Sequence, residues 1–226
     1  MNNSKDKNNI NTSVCAVIPF YNEKETLHKT LNETCKYVQF IFAIDDGSND
    51  AWQEIKLDRP EIKYISLGKN SGKGRALKVG FENAVSEGFE YVITLDADLQ
   101  HEPKYIPQLL ERTREFDIVI GNRLYDLKQM PLQRRLSNKI TSFLLSKKTG
   151  QKILDSQCGF RAYSSKVFKE VKTFRNGFEA ESEIIVIAAR NGSKIGFVDI
   201  PAIYGNEKSK MRAMQAIIGF IKVLFS

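Results

Sequence analysis

Cysteine and histidine are too sparse in this chain to carry the chemistry they usually carry. The three cysteines, Cys15, Cys35 and Cys158, are odd in number, far apart and free of any CxxC or Cys/His clustering. That pattern excludes a disulfide framework and a thiolate zinc site, and it fits reduced, buried thiols in the cytoplasm. With His28 and His101 as the only histidines, a Ser/His or Cys/His nucleophile has little to draw on, and His28 reads as a helix-surface residue. No apolar run approaches the roughly 20 residues that span a bilayer. The first thirteen residues are Asn/Lys-rich and lack an apolar centre, so 1–13 is expected to be a disordered leader and not a signal peptide. A GxxxxGK[ST] loop is missing, which excludes a P-loop NTPase, and no GxGxxG follows the first apolar run. Neither an internal repeat nor a Gly/Ser linker marks a second domain.

What the chain does have is enough apolar material for one sizeable domain: 226 residues, of which 42% are hydrophobic. Its formal net charge of +7 calls for an anionic partner, whether nucleic acid, membrane surface or phosphorylated substrate. Trp52 and the phenylalanines form no stripe resembling a base-stacking platform, so nucleic acid is not expected.

Strand-like and helix-like segments alternate. Strands are expected at Val14–Pro19, Phe40–Ile44, Ile62–Leu67, Tyr91–Leu95, Asp117–Ile120 and Ile195–Ile200. Helices are expected at Glu23–Tyr37 (Leu27, Leu31 and Cys35 on one face), Ala51–Leu57, Ser71–Ser86 (Leu77, Phe81 and Val85 as its stripe), Pro103–Arg114 and Ser182–Arg190. Such alternation predicts an α/β fold built from right-handed crossovers around a mostly parallel sheet. Pro131–Lys148 reads as a basic amphipathic helix or helix pair. It is either packed with a solvated charged face or turned to a membrane. The terminal stretch 211–226 reads as an apolar helix that packs on the domain, lies in a membrane interface or pairs with another chain.

Polar clusters close the apolar strands. Tyr21-Asn22-Glu23, Asp45-Asp46-Gly47-Ser48, Asp96-Ala97-Asp98 and Gly121-Asn122-Arg123 all fall at carboxyl ends, where open α/β sheets bind ligands. Asp96 and Asp98, two apart at a strand end, can aim at one point, and with Gln100 they are hard oxygen donors suited to Mg²⁺ or Mn²⁺. A solvated turn is the alternative. Arg123 and Lys73 would add positive charge where a leaving group becomes anionic.

These residues also carry a family resemblance. Val17-Ile18-Pro19-Phe20-Tyr21-Asn22-Glu23, Asp45-Asp46-Gly47-Ser48-Asn49-Asp50, Gly68-Lys69-Asn70-Ser71-Gly72-Lys73-Gly74 and Leu95-Asp96-Ala97-Asp98-Leu99-Gln100-His101 occur in that order. They are followed by Gly121-Asn122-Arg123, by Asp155-Ser156-Gln157-Cys158-Gly159-Phe160-Arg161-Ala162-Tyr163 and by Ser209-Lys210. The ordered set resembles family 2 glycosyltransferases, and within them the dolichol-phosphate mannosyltransferase-like branch that acts on polyprenyl phosphates. The resemblance implies a GT-A fold over residues 14–210 and a metal-dependent, inverting hexosyltransferase. Its donor would be a nucleotide-diphosphate sugar and its acceptor a dolichyl or undecaprenyl phosphate. Carried over, Pro19, Tyr21, Glu23, Ile44 and Asp46 would line the nucleotide, Asp96, Asp98 and Gln100 would hold the metal, Ala97 would touch the donor, and Arg123 and Lys210 would contact phosphates. Some mannosyl-transferring relatives carry an arginine six residues before the terminal lysine. This chain has Tyr204 there, so the donor stays open between GDP-mannose and a UDP-sugar.

A phosphate monoester acceptor is already anionic near neutral pH and needs positioning more than a general base. Arg134 or Arg135, with Ser137, is the expected clamp for it. The catalytic set is therefore Asp98, Arg123, Arg134 and Arg135, with Lys73 beside the leaving group. Were the acceptor a saccharide hydroxyl, Glu181 or Glu183 would be the base, although acidic residues at a helix start are ordinary. Asp155 and Arg161 are expected either to pair or to shape the acceptor side, and Gly159 to serve a tight turn. No Gln-x-x-Arg-Trp sequence is present, which argues against polymer extension. The rival from another class is a non-catalytic nucleotide-sugar-binding subunit. Expected partners are the donor, the lipid phosphate, the cytoplasmic face of a membrane and an anchoring subunit or second copy.

Overall fold

The structure, a computed structural model, describes residues 13–125, 130–171, 175–203, 220 and 223. Tyr204, Ser209, Lys210, residues 1–12 of the leader and most of 211–226 lie outside the described residues. Of that last segment, Val223 belongs to the buried core and Phe220 packs against it.

Seven strands form one sheet in the order β3-β2-β1-β4-β6-β5-β7. β1 (Val14–Phe20), β2 (Phe40–Asp45), β3 (Ile62–Ser66) and β4 (Tyr91–Thr94) form the expected parallel half. β1 is buried along all its length, as a central strand covered on both faces must be. The chain runs outward from β1 to β2 and β3, then returns to β4 on the other side of β1. That reversal opens a crevice beyond the carboxyl ends of β1 and β4.

α1 (Lys24–Thr34) joins β1 to β2, and Asp50 Oδ2 accepts the Lys24 amide at its first turn, 2.8 Å away. α2 (Lys73–Ser86) buries Leu77, Phe81 and Ala84, whereas Val85 is exposed. The expected stripe was one residue out. At about 100° per residue, position i+7 returns to within about 20° of the start, while i+8 lies about 80° away. Cys35, at the end of α1, is only partly buried; Cys15 and Cys158 are buried, and all three thiols are free.

The other half holds α3 (Ile106–Arg112), β5 (Ile118–Asn122), α4 (Leu132–Thr149), β6 (Arg161–Ser164), α5 (Ser165–Glu170), α6 (Ala180–Arg190) and β7 (Ile195–Asp199). β6 runs antiparallel between β4 and β5, and sequence patterning missed it. It is four residues long and begins with an arginine, so no apolar run announces it. Arg161 is nonetheless fully buried. Its guanidinium donates to the carbonyls of Cys158 at 2.7 Å, Glu181 at 2.8 Å and Ser156 at 2.9 Å. One buried cation thereby ties the loop before β6 to the start of α6.

The expected helix or helix pair is a single helix, α4, and of its two open orientations the structure has the one with the apolar row outward. It buries Asn138, Ser142 and Leu145, while Leu132, Leu136, Ile140 and Phe143 are exposed.

Candidate active site

The loops after β1 and β2 are laced together before any ligand is considered. Ser48 Oγ accepts the Asn22 amide at 2.9 Å, and Asn22 Oδ1 accepts the Asn49 amide at 2.8 Å. Asp46 turns towards the Gly-rich loop: its Oδ1 accepts the Ser71 amide at 2.7 Å and its Oδ2 the Gly72 amide at 2.9 Å. Burial raises the Asp46 carboxyl above its usual range against the opposing pull of those two amides. Gly47, with φ at +76°, lies so close that a Cβ would stand 2.3 Å from the Lys69 carbonyl carbon. Pro19 and Ile44, in β1 and β2, are buried, while Tyr21 and Glu23, just past β1, are half-buried.

After β4 the chain turns through Asp96-Ala97-Asp98-Leu99, with Leu99 at φ +61°. Ala97 is buried, and its carbonyl accepts the Thr30 hydroxyl at 3.2 Å. The Gln100 amide donates to Asp98 Oδ1 at 3.0 Å, which closes the turn. Asp96 meets Lys73 Nζ at 2.5 Å, and the same ammonium reaches Glu181 Oε2 at 3.2 Å. Burial works to raise the Asp96 carboxyl, but the charges of Lys73, His101 and Arg123 hold it down to about 2. Lys73 is pushed above its usual range: burial opposes its charge, and Asp96 and Glu181 overcome that.

Gly159 sits over this cluster. A Cβ there would lie 2.7 Å from Asp96 Oδ2 and 2.8 Å from Lys73 Nζ. The need for glycine is thus close approach, and the expected tight-turn role is corrected: Gly159 is not among the positive-φ residues.

His101 and Cys158 come together where the sequence showed no link, with Cys158 Sγ 3.9 Å from His101 Nε2. They do not make a nucleophilic pair. Burial lowers His101 to about 4 and raises Cys158 to about 12, so both are neutral at pH 7. His101 Nδ1 accepts the Asp96 amide at 3.3 Å, which makes the imidazole a brace for the Asp96 turn.

Arg123 leaves the end of β5 and is gripped by Asp155. Asp155 Oδ2 accepts the Arg123 Nε–H at 2.9 Å, and Oδ1 accepts from the other guanidinium nitrogen, Nη2, at 3.1 Å. Asn138 of α4 donates to the same carboxylate at 2.6 Å. Burial would raise Asp155, but the Arg123 charge and these hydrogen bonds hold it below the usual carboxylate range. The alternative of an Asp155–Arg161 ion pair is not realised, since Arg123 takes Asp155 and backbone carbonyls take Arg161.

Arg134, Arg135 and Ser137 lie in the first turns of α4. Arg135 donates to the Met130 carbonyl at 3.3 Å, and Ser137 Oγ accepts from Gln157 Nε2 at 3.2 Å. Glu181 and Glu183 do start a helix, but they differ in use. Glu183 accepts the Arg175 amide at 2.6 Å, whereas Glu181 is 7% exposed and its Oε1 has no hydrogen-bond partner among the described residues.

No cluster of three or more His, Cys, Asp or Glu side chains able to hold a metal occurs among the described residues. The rim still fits a divalent cation of the kind that retains outside ligands. Asp96 and Asp98 offer two partly exposed carboxylates, Gln100 follows, and a diphosphate and water would complete the shell. The Asp96-to-Asp98 turn, Asp46 and Arg123 all belong to strand ends on one rim, and Arg123 is close enough to act electrostatically on Asp96. Lys210 lies outside the described residues.

Comparison with known proteins bears on the family and the fold. The sequence model of "Glycosyl transferase family 2" matches residues 15–172. A UDP-N-acetylglucosamine–dolichyl-phosphate N-acetylglucosaminyltransferase of Methanococcus voltae is 30% identical over 230 residues, covering 90% of each chain. An undecaprenyl-phosphate 4-deoxy-4-formamido-L-arabinose transferase of Pectobacterium atrosepticum is 36% identical over 162 residues, covering 67% of this chain and 48% of that enzyme. Glucosyl-3-phosphoglycerate synthase of Mycobacterium tuberculosis, solved with Mg²⁺ and uridine diphosphate, superposes with a TM-score of 0.72 at 16% identity, over 95% of this chain and 80% of that one. At that identity the likeness speaks for the GT-A fold.

Proposed function

Because the chain belongs to glycosyl transferase family 2, we propose that it moves a single sugar from a nucleotide-diphosphate donor to a polyprenyl phosphate at the cytoplasmic face of a membrane, with inversion at the anomeric carbon. The observation that carries the reading is the joining of the Asp96 turn, the Asp46-held Gly-rich loop and Arg123 on one rim. Long relatives named for prenyl-phosphate acceptors support the choice of acceptor.

Asp46 holds the Gly-rich loop through the Ser71 and Gly72 amides, and the nucleotide would be lined by Asp46, Tyr21, Glu23, Pro19 and Ile44. Asp96 and Asp98, with Gln100, would hold Mg²⁺ or Mn²⁺, which when bound would supply positive charge against the departing diphosphate. Lys73 keeps Asp96 anionic and in place, and Ala97 lines the donor side. Arg123 faces the leaving group from a position fixed by Asp155. Arg134 or Arg135, with Ser137, orients the lipid phosphate for in-line attack, its oxygen being anionic without a base. Lys210 would add a phosphate contact. Purified protein with Mn²⁺ or Mg²⁺, a panel of labelled nucleotide sugars and a prenyl phosphate tests this. Label should enter the organic phase, and Asp98→Asn should abolish that transfer in a folded protein. Label found only on soluble sugars sinks the lipid acceptor.

One observation favours a second reading, transfer to a saccharide hydroxyl. Glu181 Oε1 is buried with no hydrogen-bond partner among the described residues, and an acceptor left open in this way is what a general base for that hydroxyl needs. The same incubation separates the two acceptors. Nucleotide binding with no turnover on either would favour a non-catalytic subunit.

A further inference from the structure

α4 presents to solvent the side chains a helix ordinarily buries. Leu132 is 74% exposed, Leu136 59%, Ile140 51% and Phe143 60%. At about 100° per residue these four fall within an arc of about 80°, in a row running most of the helix. The opposite face is satisfied internally, with Asn138 on Asp155 at 2.6 Å and Ser142 Oγ accepting the Ser156 amide at 2.9 Å. Rotating the helix to bury the apolar row would strip those buried groups of their partners, so the stripe is held outward by the network that also fixes Arg123. Lys139 and Lys147 are exposed along the row, and Lys147 Nζ stands 5.7 Å over the Phe143 ring. Apolar side chains fringed by lysines whose stems can reach upward match the boundary between acyl chains and anionic headgroups. The formal charge of +7 has the complementary sign. No helix among the described residues is long and apolar enough to cross a membrane.

We propose that α4 lies flat on an anionic bilayer, with Leu132, Leu136, Ile140 and Phe143 below the headgroups and Lys139 and Lys147 among them. This rests on the lipid-acceptor reading above, and it specifies how the acceptor phosphate is met. Arg134, Arg135 and Ser137 start the inserted helix, so the layer that holds the prenyl phosphate and the residues that orient it are brought to one level. Through Asn138 and Asp155 the same helix sets Arg123.

The test is co-sedimentation of the full chain with phosphatidylglycerol-rich vesicles and with phosphatidylcholine vesicles. The wild type should bind the former. Leu136→Gln with Ile140→Gln should lower partitioning on the order of a hundredfold, about tenfold for each side chain. Lys139→Gln with Lys147→Gln should lower it about 25-fold and erase the preference for phosphatidylglycerol. Phe143→Trp should gain a blue-shifted emission on adding those vesicles. Unchanged binding by the Leu136/Ile140 variant overturns the proposal. So does a solution mass that falls from dimer to monomer in that variant, which would make the row a self-association face. A lowered melting temperature with unchanged partitioning also overturns it, because the row would then be covered by this chain itself. A short, water-soluble prenyl phosphate separates the two claims. If the variant glycosylates it normally yet fails on vesicle-borne acceptor, docking is supported. If vesicles bind and no prenyl phosphate is ever glycosylated, docking stands and the catalytic reading falls.

Discussion

Replacing Lys73 by methionine keeps the length and apolar stem of the side chain and removes one charge. In the folded protein that charge stands 2.5 Å from Asp96 and 3.2 Å from Glu181. At an effective dielectric of about 20, each pair is worth about 5–7 kcal/mol before desolvation is subtracted. Desolvation removes much of this, but deleting one partner of a buried pair strands the others, at a cost of about 3–5 kcal/mol. The two carboxylates do not share the loss equally. The Asp96 side chain is 30% accessible and is screened by water, whereas the buried Glu181 side chain is not, so most of the loss falls on Glu181. Lys73→Met should therefore be less stable by about 3–5 kcal/mol in urea unfolding at pH 7 without divalent cations. Mn²⁺ restores positive charge to the same place. At a hundredfold excess over its dissociation constant, binding stabilises any folded protein by about 2.7 kcal/mol, and the variant, with an uncompensated Asp96, should gain more than the wild type. A loss under about 1 kcal/mol would refute the buried-pair reasoning. An equal gain from Mn²⁺ in both proteins would refute the assignment of the cation to Asp96.

Further outcomes concern the elements around this pair. Asp155→Asn should cost about 2–4 kcal/mol at neutral pH, since Arg123 and Asn138 lose a charged acceptor. Because the folded-state carboxyl lies below its usual value, its stabilisation is present above the unfolded pKa of about 3.9 and is lost as pH falls through the folded value. The gap in urea midpoint between wild type and variant should narrow below about pH 4, and a pH-independent gap contradicts this. Gly47→Ala should destabilise by at least about 2 kcal/mol in thermal unfolding, because the new Cβ meets Lys69 backbone at 2.3 Å and φ is positive. Gly159→Ala meets only the side-chain ends of Asp96, Lys73 and Glu181, which can move. It should keep its melting temperature to within about 5 °C while cation-dependent nucleotide affinity, read by calorimetry, falls at least tenfold; unimpaired binding would show that the cluster beneath it is not the cation site.

The parallel half of the fold was legible because its signals are local. Apolar runs of strand length, separated by helix-period segments, place β1 to β4 in order, and the Asp96 turn was visible as two carboxylates closing such a run. The resemblance to family 2 glycosyltransferases also lies in the linear order of short motifs. Other parts were not legible, for one physical reason. β6 is a strand only because β4 and β5 flank it, and Arg161 is buried only because three carbonyls from separate segments converge on it.

The same reason governs the site. Sequence alone determined which residues stand at strand ends, because strand ends are marked by where apolar runs stop. Tertiary structure decided which of them meet. Lys73 and Glu181 are 108 residues apart, and Asp155 takes Arg123 in place of Arg161. The orientation of α4 was equally beyond its own pattern. Periodicity shows that a helix has an apolar face, but only the partners awaiting Asn138 and Ser142 turn that face outward. A charge or an amide is satisfied by whatever folding brings within about 3 Å, and that distance is not written along the chain.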